Sequence, residues 1–166
     1  MVKNLLILRF TNLLFTSMWN RHCIANVQIV FKENIGCEGR AGYFDEYGIV
    51  RDVMQNHLLQ ILALVAMDKP VNLTAEAIRD EKVHVLRSLA PIRTQDVVLG
   101  QYTAGPGRIG YHEEPGVPPE SRTPTYAAAV MYVRNERWDG VPFILRCGKG
   151  RIGLLIKTRC DLAKTI

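Results

Sequence analysis

The stretch "DEYGIVRDVMQNHLLQILALVAM", residues 45 to 67, constrains the fold more than any other part of the chain. Its apolar positions predict one long helix, with Lys69 in its last turn and Pro70 as its stop, because proline cannot donate into a helical ladder. Asp45 and Glu46 at its start complement the positive end of the helix dipole. A helix this apolar has to be buried or half-buried in a core. Asp52 and His57 are therefore its anomaly, since ionisable groups near a core need partners or a task.

The segments around this helix set the class of fold. Leu6, Phe10, Leu13, Leu14 and Met18 recur at helical spacing, which predicts an N-terminal helix over residues 3–19 with one strongly buried face. "CIANVQIVFKE", residues 23–33, is β-branched and alternating and reads as a strand, followed by the glycine-rich loop "NIGCEGRAG". A further helix is expected over 75–89, with Thr74 as N-cap and Ile78, Val85, Leu86 and Leu89 on its apolar face. Three short strands, "VVLGQY", "TYAAAVMYV" and "PFILRCGK", then close the pattern, the first two separated by a long loop, "AGPGRIGYHEEPGVPPESRTP". A connection of that length tends to be functional or mobile. Helices then strands, without βαβ alternation, give an α+β class in which helices cover one face of a mainly antiparallel sheet.

Composition narrows the function classes without choosing among them. With 166 residues and 48% hydrophobic content the chain can bury a core and belongs to one domain or part of a larger one. The net charge of +5 favours anionic partners, but the basic residues are scattered, with no basic run or aromatic interleaving, so a nucleic-acid partner is not expected. Cys23, Cys37, Cys147 and Cys160 form no C-x-x-C pair and have no histidine at ligand spacing, which predicts reduced thiols, a cytoplasmic location and no metal site. Asn4, Arg9 and Asn12 interrupt the apolar start "MVKNLLILRFTNLLF", leaving neither a membrane span nor a signal peptide. Neither "GCEGRAG" nor "GPGRIG" matches a phosphate-binding fingerprint in a strand-to-helix context, so a Rossmann domain is expected to be absent.

At the α-helical step of about 100° per residue, Asp52 and His57 lie roughly 140° apart around their helix. They cannot form a hydrogen-bonded dyad along it. If His57 is a general base, its orienting carboxylate must come from another segment, and Asp52 would address a different substrate atom. Spacing alone leaves open that His57 and Asn56 are satisfied polar groups of the core.

"EGRAGYFDEYGIVRDVMQNHLLQILALVAMDKP", "RDEKVHVL", "VVLGQY" and "NERWDGVPFILRCGK" resemble, in order and spacing, consecutive blocks of the C-terminal domain of glucose-6-phosphate dehydrogenase. The resemblance covers residues 1–149 and implies oxidation of glucose 6-phosphate to 6-phosphogluconolactone with NADP, in the pentose phosphate pathway, by a homo-oligomeric enzyme. It implies that His57 is the catalytic base that takes the proton of the anomeric hydroxyl. Imidazole suits that task because its ordinary pKa of about 6.5 lies near working pH. The resemblance further implies that Asp52, Glu33 and Lys149 bind the sugar substrate and that Arg146 contacts a second, structural NADP.

Residues 150–166, "GRIGLLIKTRCDLAKTI" after the "RCGK" block, depart from the family's continuation and are expected to form a divergent tail. The family's "DHYLGKE" block, which grips the substrate phosphate and orients the base, has no counterpart in these residues. A chain of this kind is expected to be inactive alone. The other reading is a fragment that only binds ligand or full-length subunits.

Overall fold

The computed structural model of the chain describes residues 2–33, 35–150 and 155–162. In chain order these form α1 (Val2–Thr11), α2 (Leu13–Met18), β1 (Ile24–Lys32), α3 (Ala41–Ile49), a π-helix (Val50–Leu58), α4 (Leu59–Ala66), α5 (Ala75–Arg87), β2 (Val97–Gly100), β3 (Tyr126–Tyr132), β4 (Pro142–Gly148) and β5 (Leu155–Leu162). The strands make one five-stranded sheet in the order β2-β3-β4-β1-β5. Only the central β1–β4 pair is parallel, and its register runs from Val27 opposite Phe143 to Lys32 opposite Gly148. The other three pairs are antiparallel.

Alternation along the strands separates two faces. Val27, Ile29, Phe143, Leu145, Cys147, Ala127, Ala129 and Met131 are buried toward the helices, together with Ile49, Val53, Leu58 and Leu62 from the helical layer. Val30, Ala128, Val130 and Ile144 on the opposite face stay half-exposed. This is the α+β arrangement expected, with helices on one face of a mainly antiparallel sheet.

The most buried helix end is also the best satisfied. Helices leave their last carbonyls without intrahelical partners, and in a core these must be met by side chains. Arg9, 5% exposed, donates from Nη1 to Leu64 O (2.6 Å) and from Nη2 to Met67 O (2.8 Å). Trp19 Nε1 donates to Val65 O and Trp138 Nε1 to Ala66 O, each at 2.8 Å. Thus α1, the turn after α2 and the β3–β4 connection all converge on the end of α4.

Several expectations need correction. The N-terminal helix breaks at Asn12 into α1 and α2, which turns Leu13 outward to 85% exposure instead of onto the buried face. The long helix begins at Ala41 rather than 45, is interrupted at Gly48, and ends at Ala66, so Lys69 lies beyond its last turn. The tail supplies a strand that sequence reasoning missed: β5 pairs with β1 from Leu155 opposite Lys32 to Leu162 opposite Ile24. The long loop between β2 and β3 includes a turn of 3₁₀-helix at Tyr111–Glu113. Thr74 caps α5 as expected, accepting from Ala77 N at 3.3 Å.

Replacing Trp138, which is fully buried, with Phe removes the donor to the Ala66 carbonyl and leaves a small void. The expected cost is about 2–3 kcal/mol, combining an unsatisfied acceptor with lost packing. It should appear in urea unfolding as a lower midpoint at unchanged slope.

Candidate functional site

The central strands end side by side because they run parallel, and the chain uses that edge for charged groups. Glu33 follows β1 and its amide donates to Gly148 O (3.0 Å), while Lys149 follows β4 and its amide donates to Thr125 O (2.9 Å). Residues 116 apart in sequence thereby meet: Lys149 Nζ lies 2.6 Å from Glu33 Oε2. The same ammonium is 3.5 Å from Asp52 Oδ2 and 5.2 Å above the Phe44 ring centroid. Its side chain is only 15% exposed. Burial opposes its charge, but the hydrogen bond it donates to Glu33 and the charges of Glu33 and Asp52 outweigh it, and the lysine pKa rises above 10.5.

His57 joins the same edge by another contact. Its ring stacks on Phe31, with centroids 6.0 Å apart and 17° between planes. Phe31 and Glu33 are two residues apart along the β1 direction and share a face. Asp52 and His57 therefore address one strip of the strand. The angular separation expected for an α-helix does not apply, because this segment is a π-helix, whose hydrogen bonds join residues five apart. Leu59 N–H, for example, bonds to Met54 O. Five residues separate Asp52 from His57, so one π-turn brings them round to the same side. His57 is exposed rather than a satisfied core group.

Beside the cluster opens a cavity of about 460 Å³ whose walls include Glu33, Gly36, Cys37, Phe44 and Lys149. Carboxylates that accept, an ammonium that donates and an apolar ring suit a polyhydroxylated ring, whose hydroxyls need partners and whose C–H faces need apolar contact. Cys37 is not a nucleophile here, since burial pushes its thiol up to about 11. Its amide instead donates to Tyr102 Oη (3.2 Å), which donates to the buried carboxylate of Glu114 (3.0 Å).

Sequence reasoning missed Phe31, Phe44, Tyr102 and Glu114. Phe31 was discoverable, standing two places before Glu33 on a strand. Tyr102 and Glu114 carry no local signal, because only folding brings them to Cys37. Arg146 does not join the cluster. It is exposed, opposite Val30 and Ala128, on the face of the sheet away from the helices.

The family model for the glucose-6-phosphate dehydrogenase C-terminal domain matches residues 6–152. The chain belongs to the glucose-6-phosphate dehydrogenase family. It is 60% identical over 149 residues to cytoplasmic glucose-6-phosphate 1-dehydrogenase 5 of Arabidopsis thaliana, covering 90% of this chain and 28% of that protein. It is 58% identical over 151 residues to the enzyme of Dictyostelium discoideum, covering 90% of this chain and 30% of that protein. A solved glucose-6-phosphate dehydrogenase in complex with glucose 6-phosphate superposes with a TM-score of 0.95 at 44% identity, covering 99% of this chain and 34% of that one. The Mycobacterium avium enzyme gives a TM-score of 0.92 at 39% identity, covering 99% of this chain and 36% of that one. The chain thus spans about a third or less of the relatives that it matches.

The lysine of this family member can be tested for its local role. Lys149→Met leaves Glu33 and Asp52 without their shared cation, and should destabilise the chain by about 1–2 kcal/mol at neutral pH, the partial exposure of both carboxylates keeping the loss below that of a fully buried pair. A lysine with a raised folded pKa contributes fully below its unfolded value and loses that contribution as pH climbs through the folded one. Urea unfolding between pH 8 and 12 should therefore show the difference between wild type and Lys149→Met shrinking only above 10.5.

Proposed function

We propose that the chain is part of a glucose-6-phosphate dehydrogenase that oxidises glucose 6-phosphate to 6-phosphogluconolactone with NADP, and that the Glu33–Lys149–Asp52 cluster beside His57 is its sugar site. The observation that carries this reading is the convergence of these four residues on one edge of β1, next to a cavity with polar and apolar walls. Residues 1–149 form a partial C-terminal domain and residues 150–166 a divergent tail; the family match ends at residue 152.

In this reading His57 accepts the anomeric hydroxyl proton while Phe31 holds its ring in plane. Glu33 and Asp52 accept hydrogen bonds from sugar hydroxyls, and Lys149, anchored between the two carboxylates, donates to a ring substituent. These contacts fix the sugar so that the proton to be removed faces His57. NADP supplies the hydride acceptor when bound. The donor set for the reacting coenzyme does not fit these residues, since neither glycine-rich stretch forms a dinucleotide cradle. Arg146, exposed on the uncovered sheet face, suits a phosphate of a second, structural NADP. The relatives include cytoplasmic and chloroplastic enzymes; among the described residues no helix is long and apolar enough to cross a membrane. We assign this chain to the cytoplasm and to a homo-oligomeric enzyme.

Titrating glucose 6-phosphate into the chain, followed by NMR, tests the site. Signals of Glu33, Asp52, Lys149 and His57 should move together. Asp52→Asn or Lys149→Met should weaken binding about 10- to 100-fold, the range of one charge-assisted hydrogen bond, whereas His57→Asn should change affinity little. Binding that leaves these four signals unmoved would place the sugar elsewhere.

The purified chain given glucose 6-phosphate and NADP is expected to form no NADPH, because the nicotinamide has nothing to hold it against the sugar carbon. Turnover matching its concentration, and lost in His57→Asn, would contradict that division of labour.

A further inference from the structure

The interruption at Gly48 is built rather than accidental. Gly48 has φ 68° and ψ 165°, a backbone region open essentially to glycine alone. In an uninterrupted α-helix the Ile49 amide would donate to the Asp45 carbonyl, four residues back. Here both groups are taken by the loop that precedes β3. Ile49 N donates to Pro124 O (3.0 Å), and Asp45 O accepts from Thr123 Oγ1 (2.8 Å). The Asp45 carboxylate accepts from Tyr111 Oη (2.7 Å) and from Ser121 Oγ. The loop is thus inserted into the helical ladder at a single peptide, and it packs against the glycine: an L-side chain's Cβ at residue 48 would lie 3.2 Å from Thr123 Cγ2 and 3.6 Å from Pro124 Cδ.

Beyond that break the helix restarts in a new direction and in π register, and it is this restarted segment that carries both Asp52 and His57. We infer that Gly48 is a positioning residue: its left-handed, extended backbone, held by Thr123 and Pro124, aims the π-helix so that Asp52 and His57 reach the end of β1 together. The functional part of this inference rests on the sugar-site reading above. The geometric part rests only on the contacts between the helix and β1.

The test separates chirality from size. At φ 68° and ψ 165° a D-residue occupies the mirror image of ordinary extended backbone, so D-alanine is suited to the position that L-alanine strains. The full 166-residue chain would be prepared with Gly48→Ala and, by semisynthesis, with D-alanine at residue 48. Nuclear Overhauser contacts between the Phe31 and His57 rings report the aim of the helix, and the Trp138 indole N–H reports the core. Glucose 6-phosphate affinity is measured on each.

Gly48→Ala is expected to keep a native Trp138 signal, lose the Phe31–His57 contact and bind glucose 6-phosphate at least about tenfold more weakly, the loss of one oriented charged acceptor. The D-alanine chain should keep the ring contact and wild-type affinity. If Gly48→Ala does not fold, Thr123→Val serves as the milder variant, since it removes the hydroxyl that donates to Asp45 O while leaving the glycine in place, and its ring contact should weaken. A ring contact preserved in a folded Gly48→Ala chain, or in a folded Thr123→Val chain where Gly48→Ala does not fold, would overturn the inference, and so would its loss in the D-alanine chain. A wild-type chain that does not bind glucose 6-phosphate would instead count against the sugar-site reading, while the ring contacts still decide the role of Gly48.

Discussion

The structure depends on how one helix end is buried. The C-terminal carbonyls of α4 lie in the core, where an acceptor without a donor costs free energy of the same order as a whole hydrogen bond. Arg9, Trp19 and Trp138 satisfy four successive carbonyls, Leu64 to Met67, from three different parts of the chain. Because those donors must arrive from α1, from the turn after α2 and from the β3–β4 connection, satisfying this one terminus fixes the helical layer against the sheet. The site stands on the same layer: the π-helix that bears Asp52 and His57 runs directly into α4.

From that anchor the site is assembled by two further constraints. The parallel pairing of β1 and β4 brings Glu33 and Lys149 out at the same edge, which an antiparallel pairing would have sent to opposite ends. The loop preceding β3 then determines how the helix meets that edge, by occupying the donor and acceptor on either side of Gly48. Lys149 links the two, touching a residue that follows the strand and one on the helix.

The sequence made the layers legible and hid the geometry of their junctions. Strand β1 and helix α5 were readable within a residue or two because alternation and a Thr74 cap are local signals. Asp52 and His57 stood out as ionisable groups on an apolar helix, whereas Glu33 and Lys149 were reachable only through the family resemblance. What could not be read was the π register, since apolar residues at positions 53, 54, 58 and 62 fit an α-helix as well. Nor could the break at Gly48 be read, because its cause lies in Thr123 and Pro124, distant in sequence. The strand in the tail was missed for a related reason: its partner, β1, lies far back in the chain, and pairing across such separation leaves little local trace.

The position of β1 has a consequence for how the chain comes into being. Both of its neighbours, β4 and β5, are encoded after most of the molecule, so β1 has no partner on either side until Pro142–Gly148 has been made. At about 5–20 residues per second, the intervening hundred or so residues take roughly 5–20 seconds to synthesise. Throughout that interval a nine-residue, β-branched strand, carrying the future core residues Val27 and Ile29, is available to any other unpaired edge. This interior strand of the finished sheet is therefore the chain's most hazardous segment while it is nascent, and the helices made during the wait, α3 through α5, are its first available cover.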